Sequence, residues 1–472
     1  MDRAHFLYEE FLRHFSYEPT PCQDRLLRQI GAFLSTDEGD ILVVNGYAGT
    51  GKTSALSAVV ATMHAFHTPC VLLSPTGRSA KVLQGYTGSQ AYTVHKHIYR
   101  QKSHSDDGFG QFSLSPNKAK GTLYIVDEVS LIGVESGDRQ AAFGSGNLLE
   151  DLIRFVRSGV DNRLILVGDA AQLPPVGLDR SPALSEEYMS FAGGVQFVTL
   201  TTVVRQQAES VILKDATRLR ELITRDVEIA PSSLGLVASA DVERIGGGEL
   251  VDALASAYDH YGEDETIVLC RSNKRANRYN AGIRSQVLYR EERLVRGDRL
   301  MIVKNCYQGV EEMEGTDFIA NGDIASLVKI GHYEERYGLH FAEARLAFPD
   351  YGDQEIVAKV LLDTLDAESA SLGYEESNRL YQGVDADYAH ISSKKKRYEA
   401  VREDPYFNAL QLKYAHAITC HKSQGGQWSC VFVDNPFWQD VLTLDDLKWL
   451  YTALTRAVEK VYLVNFKDSL FV

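Results

Sequence analysis

The chain has 472 residues, 44% of them hydrophobic and 24% charged, with a formal net charge of −15. This is the composition of an ordinary globular protein of about two to four domains. No stretch has the ~18 consecutive apolar residues of a membrane span, and the N-terminus lacks the apolar segment of a signal peptide. We therefore expect a cytoplasmic protein with no membrane partner. The negative charge excludes a protein that coats itself in nucleic acid, but not one with a narrow basic channel.

The six cysteines are widely spaced and form no C-x-x-C pair. A zinc site or a disulfide framework is therefore not expected. We expect the cysteines to serve as small buried hydrophobic residues.

Residues 1–40 are predicted to form two helices joined by a turn at Glu18–Pro21. From residue 41 onward, apolar runs of strand length alternate with helical stretches. Such runs, ended by Gly, Pro or Asp, are typical of parallel strands buried on both faces. Their alternation with helices predicts an α/β core with a parallel sheet. The predicted strands are ILVVNG (41–46), VLLSPTG (71–77), TLYIVDE (122–128) and RLILVGD (163–169).

The apolar density falls between Ile98 and Lys120, where Asp107-Gly108 is followed by Phe109 and Phe112. Asp-Gly is a favoured hairpin turn. The pattern predicts a β-hairpin inserted in the first core at about 98–120. A disordered surface loop is the alternative.

A second α/β region follows, with strands such as TIVLC (266–270) and CVFVD (430–434). Between these two strands, residues 299–347 have the short apolar runs of a small barrel, and residues 360–402 are polar and helical. The predicted domains are a first core at 1–190, a second core at 191–298 and 410–472, and an insertion at 299–409.

The strongest motif is GYAGTGKT, residues Gly46–Thr53, which fits G-x-x-x-x-G-K-[ST] between a predicted strand and a predicted helix. The glycines let successive backbone N–H groups point at phosphates, and the helix N-terminus adds positive potential. We predict that Lys52 reaches the β- and γ-phosphates of ATP and that Thr53 binds Mg²⁺.

Two further strands end in polar residues. Asp127 and Glu128 follow LYIV, and an acidic pair there is expected to hold Mg²⁺ through Asp127 and to activate a water through Glu128. The alternative is that they are helix N-caps. Gln172, in GDAAQLPPVG, is predicted to sense the γ-phosphate or the attacking water, although a plain strand-to-turn exit stopped by proline gives the same pattern.

The order of these motifs along the sequence resembles that of a known family. Seven motifs follow one another in the order and spacing of superfamily 1 helicases, and they are most similar to the 5′→3′ branch of RecD- and Dda-like enzymes. The resemblance runs from about Gln23 to Val464. The motifs are GYAGTGKT, SPTGRSAK, VDEVSLI, GDAAQLPPVG, VVRQ, AITCHKSQGGQW and YTALTRA.

The resemblance implies two RecA-like cores with ATP between them. A hairpin in the first core would act as a wedge, and an SH3-like barrel with extra helices would be inserted in the second. It implies that Gln23 reads the adenine edge and that Arg205 and Arg456 approach the γ-phosphate, although either arginine alone would more often be a surface ion pair. The implied catalytic residues are Lys52, Asp127, Glu128, Gln172, Arg205 and Arg456. The implied nucleotide-binding residues are Gln23, Gly46, Ala48, Gly49, Thr50, Gly51, Lys52, Thr53, Ser54 and Gly425.

The same resemblance implies contacts to single-stranded DNA at the ends of strands. These candidates are Ser74, Pro75, Thr76, Thr93, His95, Thr419, His421, Lys422 and Ser423. Four aromatic residues could stack on bases, although packing is the favoured interpretation: Tyr92, Phe109, Phe112 and Trp428. The basic run Lys394–Arg397 could contact phosphates, but a solvated helix face is the favoured account.

The sequence therefore predicts an ATP- and Mg²⁺-dependent DNA helicase that moves 5′→3′, acts on tailed or forked DNA, works as a monomer and meets replication or recombination proteins. A protein-remodelling ATPase and a passive DNA-binding module are the rival functions. Because few residues precede the P-loop and follow Val464 in this sequence, we do not expect a fused nuclease or relaxase.

Overall fold

The computed structural model describes residues 2–101, 112–134, 144–204, 210–226, 228–306, 313 and 319–472. They form two parallel sheets, a closed five-stranded barrel and a two-stranded antiparallel pair. The predicted fold class is confirmed: two RecA-like α/β cores, with a strand pair inserted in the first and a barrel with helices inserted in the second.

The first core has a six-stranded sheet whose paired strands all run parallel. Its elements are α1 (Arg3–His14), α2 (Pro21–Phe33), β1 (Ile41–Gly46), α3 (Lys52–Ala65), β2 (Cys70–Ser74), α4 (Gly77–Thr87), β3 (Ala91–Thr93), α5 (Val94–Ile98), β4 (Tyr99–Gln101), β5 (Phe112–Leu114), β6 (Leu123–Val126), α6 (Leu148–Arg157), β7 (Arg163–Gly168), α7 (Glu186–Met189) and β8 (Val195–Leu200). The sheet order is β3-β2-β6-β7-β1-β8. All four residues of β6 are buried, as expected of a central strand with helices on both faces.

Strands β4 and β5 form the antiparallel pair, with Tyr99 opposite Leu114. They lie inside the predicted hairpin at 98–120. Residues 102–111, which include Phe109, are outside the described residues.

The second core and its insertion alternate along the chain. In order, their elements are α8 (Val211–Arg225), β9 (Val242–Ile245), α9 (Leu250–Tyr261), β10 (Thr266–Cys270), α10 (Asn273–Gly282), β11 (Arg299–Ile302), β12 (Ile324–Arg336), β13 (Leu339–Phe348), β14 (Gln354–Leu361), α11 (Tyr374–Asp387), α12 (Lys394–Glu403), β15 (Leu410–Tyr414), β16 (Ala417–Thr419), α13 (Cys420–Ser423), β17 (Trp428–Asp434), α14 (Leu444–Leu454) and β18 (Ala457–Val464). Strands β11–β15 close the barrel, and the second parallel sheet has the order β16-β10-β17-β18-β9.

Two predicted domain boundaries are wrong. Strand β8 pairs with β1, with Val195 beside Ile41, so the first core extends past residue 190. Strand β15 pairs with β11, with Tyr414 opposite Leu300, so the barrel extends past residue 409. Both are strands whose sheet is decided by distant partners, which the local pattern does not reveal.

The six cysteines are all at least partly buried. Cys22, Cys270, Cys420 and Cys430 are buried, and Cys70 and Cys306 are half-buried, so the thiols pack as small hydrophobic groups.

In the described part of the chain, no helix is both long enough and apolar enough to cross a membrane.

Candidate nucleotide site between the two cores

The P-loop, residues 46–51, joins β1 to α3. Gly49 and Gly51 have φ values of +71° and +74°, a left-handed conformation that glycine adopts without steric cost. Gly51 is the N-cap of α3, so the first N–H groups of that helix have no partner within it. A Cβ on Gly51 would collide with the Gln23 amide. The loop therefore presents backbone donors at a helix N-terminus, which is an anion-binding arrangement.

A cleft of about 700 Å³ lies beside the P-loop, with walls from both cores. The first core contributes Lys52, Asp127, Glu128 and Gln172, and the second contributes Arg456. The predicted nucleotide-binding residues that also line it are Ala48, Gly49, Gly51, Thr53 and Ser54. Five residues predicted to perform the chemistry thus meet in one place.

Lys52 is the first residue of α3, and its side chain folds back over the P-loop. Its ammonium donates to the carbonyl of Gly46 and, over 3.3 Å, to that of Tyr47. A Cβ on Gly46 would collide with the Lys52 side chain. Gly46 thus leaves the room in which the lysine charge lies against the loop.

Asp127 and Glu128 follow β6 and form a strained acidic pair. The Glu128 N–H donates to Asp127 Oδ1 over 2.9 Å. Glu128 has φ of +56°, a conformation that costs a non-glycine residue about 1–3 kcal/mol and that clusters at functional sites. Burial and the adjacent Glu128 charge raise the pKa of the Asp127 carboxyl above its ordinary value. The pair is a place where a cation would be stabilised.

The chemistry of this donor set fits Mg²⁺. Thr53 is in the first turn of α3, and Thr53 and Asp127 line the same cleft. Among the described residues, no cluster of three His, Cys, Asp or Glu side chains could hold a metal by itself. Mg²⁺ is commonly bound by one or two carboxylates together with substrate phosphate oxygens and waters. Thr53 and Asp127 are therefore the residues that would hold it.

Gln172 lies in the turn after β7. Its side chain is 5% exposed, and its Oε1 atom has no hydrogen-bond partner among the described residues. A buried amide oxygen without a partner costs about 1–3 kcal/mol. Because Gln172 lines the cleft, this acceptor is available to a water or another donor beside the phosphates.

Arg456 follows α14 and is 4% exposed. Its guanidinium donates to the Thr452 carbonyl at 3.2 Å, the Gly426 carbonyl at 3.2 Å and the Thr455 hydroxyl at 3.4 Å. None of these partners is a carboxylate. A buried arginine whose charge is not paired with an acid is costly unless an anion meets it. The other predicted arginine, Arg205, lies outside the described residues.

Gln23 and Gly425 have surroundings that the sequence did not predict. The side-chain carbonyl of Gln23 accepts from the Thr20 backbone N–H at 2.9 Å, and the side-chain amide of Gln23 donates to the Thr50 backbone carbonyl at 3.1 Å. It thus links the start of α2 to the P-loop, and its contact with adenine remains a prediction.

Gly425 is not among the residues that line the cleft. A Cβ there would lie 2.8 Å from Cβ of Ser79, because Gly425 packs closely against α4.

The predicted DNA contacts of the first core lie at the ends of β2 and β3. Thr76 and Thr93 are the N-caps of α4 and α5, and both are half-buried. Pro75 and His95 are also half-buried, and burial lowers the pKa of His95 to about 4. Ser74 is fully buried and donates to the Ser79 hydroxyl at 2.6 Å, so the structure does not bring its hydroxyl to the surface.

The predicted DNA contacts of the second core lie at the end of β16 and on the short helix α13 that follows it. Thr419 and His421 are half-buried, whereas Ser423 is fully buried and donates to the Cys420 carbonyl at 2.7 Å. Lys422 donates to Asn321 of the insertion at 2.6 Å, and burial lowers its pKa. This contact places the insertion beside the predicted DNA face.

The insertion also touches the first core. The Tyr351 hydroxyl donates to Asp323 at 2.7 Å, and a Cβ on Gly77, the first residue of α4, would lie 2.9 Å from that hydroxyl. Lys81 of α4 donates to the Pro349 carbonyl. The barrel, α4 and α13 therefore meet around the predicted DNA contacts.

Two of the four aromatic candidates, Tyr92 and Trp428, have described side chains. Trp428 is 2% exposed, and the Arg78 guanidinium lies over its ring at 4.1 Å. Tyr92 is half-buried against the first core. The packing interpretation is confirmed for Trp428. Lys394–Lys396 are exposed at the start of α12, and Arg397 pairs with Asp385 at 3.0 Å, in agreement with a solvated helix face.

Comparison with known protein families gives two matches, one on each core. Residues 22–228 match an AAA domain, and residues 414–464 match the UvrD-like helicase C-terminal domain. The chain is 33% identical over 176 residues to the ATP-dependent RecD2 DNA helicase of Deinococcus radiodurans, covering 37% of this chain and 21% of that protein. It is 22% identical over 452 residues to the ATP-dependent DNA helicase dda of phage T4, covering 90% of this chain and 94% of that protein.

The chain is similar to superfamily 1B helicases of the RecD and Dda type. The matched region spans only about a fifth of the RecD2 protein, although it spans nearly all of dda. Among solved structures, the Bacteroides Pif1 helicase in complex with ADP-AlF3 and single-stranded DNA is similar over 97% of this chain and 95% of that one, at 15% identity and a TM-score of 0.46.

Two residues of this site were not predicted from the sequence. Tyr451 and Thr452, on the last turn of α14, contact the first core beside the P-loop. Their position just ahead of Arg456 in YTALTRA was the available signal. Their polar groups gave no further sign, because a buried tyrosine or threonine on an apolar helix is indistinguishable in sequence from a core residue.

Proposed function

We propose that this chain is an ATP-driven motor that moves 5′→3′ along single-stranded DNA and unwinds duplex DNA in replication, recombination or repair. One observation carries the proposal. Arg456, buried and with no carboxylate partner among the described residues, comes from the second core into the same cleft as Lys52, Asp127 and Glu128. This arrangement suits a phosphoryl-transfer site that is complete only when both cores contribute.

The proposed chemistry is attack of water on the γ-phosphorus of ATP, which breaks its bond to the β–γ bridging oxygen and releases ADP and phosphate. The P-loop N–H groups and Lys52 hold the β- and γ-phosphates, and Thr53 and Asp127 would hold Mg²⁺, which would neutralise phosphate charge. Glu128 accepts a proton from the attacking water. Gln172 Oε1 accepts a hydrogen bond from that water, and Arg456 stabilises the charge that develops on the phosphoryl oxygens.

Motion is proposed to follow from the position of Arg456 on the second core. Nucleotide binding favours closure of the cleft, and hydrolysis removes part of that attraction. The same closure changes the distance between α4 and the segment of α13 and the residues after it, where Arg78 of α4 donates to the Gln427 carbonyl at 3.4 Å. Since the predicted DNA contacts are on these two elements, their grip on a strand is coupled to the nucleotide state.

The proposed substrates are single-stranded, tailed and forked DNA. The names of the relatives describe ATP-dependent DNA helicases, and half-buried hydroxyls and a lysine at strand ends are suited to phosphate contacts. We also propose that the protein acts as a monomer and meets replication or recombination proteins.

Single-stranded DNA is expected to stimulate ATP hydrolysis at least about tenfold, because DNA binding favours the closed cleft. An arginine finger raises the rate of phosphoryl transfer by ~10³–10⁵, and closure would supply part of that gain. The measurement is phosphate release with a saturating oligonucleotide, with a blunt duplex and without DNA. The blunt duplex should stimulate little. Hydrolysis that is equal in all three conditions would favour a protein-remodelling ATPase.

A further inference from the structure

One hydroxyl bridges the two cores at the P-loop. Tyr451, on the last turn of α14, is 1% exposed. Its oxygen accepts a hydrogen bond from the Ala48 backbone N–H at 2.8 Å, and its proton is donated to Asp169 Oδ2 at 2.7 Å. Both partners belong to the first core. Because burial and Asp169 raise the pKa of Tyr451 well above its ordinary value, the hydroxyl remains a donor.

Asp169 connects this hydroxyl to the turn that carries Gln172. Its other oxygen, Oδ1, accepts from the Ala171 N–H at 2.9 Å, and its main-chain carbonyl accepts from the Gln172 N–H at 3.2 Å. The carboxylate therefore fixes the turn on one side and meets Tyr451 on the other.

The next residue of α14 holds the far end of the same turn. The Thr452 hydroxyl accepts from the Leu173 N–H at 2.8 Å, and Gln424 donates to the Leu173 carbonyl at 2.7 Å. The Thr452 carbonyl accepts from Arg456 at 3.2 Å. One helix end thus contacts the P-loop, the turn of Gln172 and the arginine that enters the cleft.

We propose that Tyr451 is a positioning residue for ATP hydrolysis, which ties the P-loop and the Asp169–Leu173 turn to the second core so that Gln172 and Arg456 are aligned with the phosphates together. The proposal rests on the function proposed above. The Ala48 and Asp169 contacts cross between the cores, so a change in the spacing of the cores would alter them. Tyr451 thereby couples the alignment to the relative position of the two cores.

Replacement of Tyr451 by phenylalanine keeps the buried ring and removes only the bridge. It leaves the Ala48 N–H and one Asp169 oxygen without their partner. We expect kcat for ATP to fall about 10–100-fold, the scale of a small misplacement of reacting groups, while the KM for ATP changes less than about threefold because the P-loop remains intact.

Tyr279→Phe is the matched control. The Tyr279 hydroxyl donates to Asp434 at 2.8 Å, so the control also removes a hydrogen bond to a buried carboxylate, but entirely within the second core. The two variants should have similar thermal midpoints, and only Tyr451→Phe should lose kcat. Hydrogen exchange of the Ala48 amide, which needs no turnover, should accelerate in Tyr451→Phe and not in Tyr279→Phe.

The outcomes separate this inference from the proposed function. If the wild-type chain hydrolyses ATP and Tyr451→Phe stays within about twofold of Tyr279→Phe in kcat, Tyr451 is not a positioning residue. Unchanged exchange at Ala48 would overturn the bridge itself, even in a chain without turnover. A wild-type chain that hydrolyses no ATP while Ala48 exchange still depends on Tyr451 would refute the proposed function and leave the bridge standing.

Discussion

Lys52→Ala is expected to lower ATP hydrolysis by at least about 10²–10³-fold, the usual loss when one electrostatic donor is removed from developing charge. Lys52 carries the one full positive charge that the P-loop places beside the cleft. Hydrogen bonds from a charged donor to phosphate are among the strong ones, so nucleotide affinity should fall as well. Steady-state phosphate release and binding of a fluorescent ATP analogue measure the two effects.

Lys274→Ala is the control for charge removal. Lys274 pairs with Glu368 at 3.0 Å, and both side chains are more than half exposed, so the pair contributes about 0–1 kcal/mol to stability. This variant should hydrolyse ATP like the wild type. Wild-type turnover by Lys52→Ala, with both variants folded, would contradict the assignment of the P-loop.

Glu128→Gln is expected to retain ATP binding and to reduce hydrolysis by about 10²–10⁴-fold, the worth of a positioned general base. The substitution keeps the shape of the side chain but removes its capacity to take a proton. It also removes the negative charge that lies next to Asp127 in the sequence and in the cleft, so the acidic pair repels the phosphates less. Affinity for the nucleotide should therefore be equal to or higher than that of the wild type.

The corresponding control is Glu355→Gln, which neutralises one side of an exposed pair with Arg345 at 3.4 Å. Its turnover should match the wild type. If Glu128→Gln lost nucleotide binding with its fold intact, Glu128 would be a binding residue and the water would need another base.

The sequence predicted the parts of the fold and site that depend on local pattern. The run before Gly46 reads as a buried parallel strand, and the glycines of the P-loop explain the left-handed turns at Gly49 and Gly51. The same reasoning found Asp127 and Glu128 at the end of β6, because acidic residues after an apolar strand stand out. These residues line one cleft in the structure.

Features set by distant contacts could not be predicted in this way. The pattern of β8 is that of any edge strand, and only its pairing with β1 assigns it to the first core. The strained backbone of Glu128 and the bridging hydroxyl of Tyr451 depend on neighbours far along the chain. Ser74, Ser423 and Gly425 were predicted to contact ligands because of their residue types and positions. Packing instead buries both serines and places Gly425 against α4.

We propose above all that ATP hydrolysis drives this chain 5′→3′ along single-stranded DNA. The most direct measurement is unwinding of a fluorescently labelled duplex that bears a single-stranded tail of either polarity, with ATP and Mg²⁺, by the wild type and by Lys52→Ala. We predict unwinding by the wild type from the 5′ tail, little from the 3′ tail, and none by Lys52→Ala. Efficient unwinding from a 3′ tail alone, or none from either tail, would contradict the account.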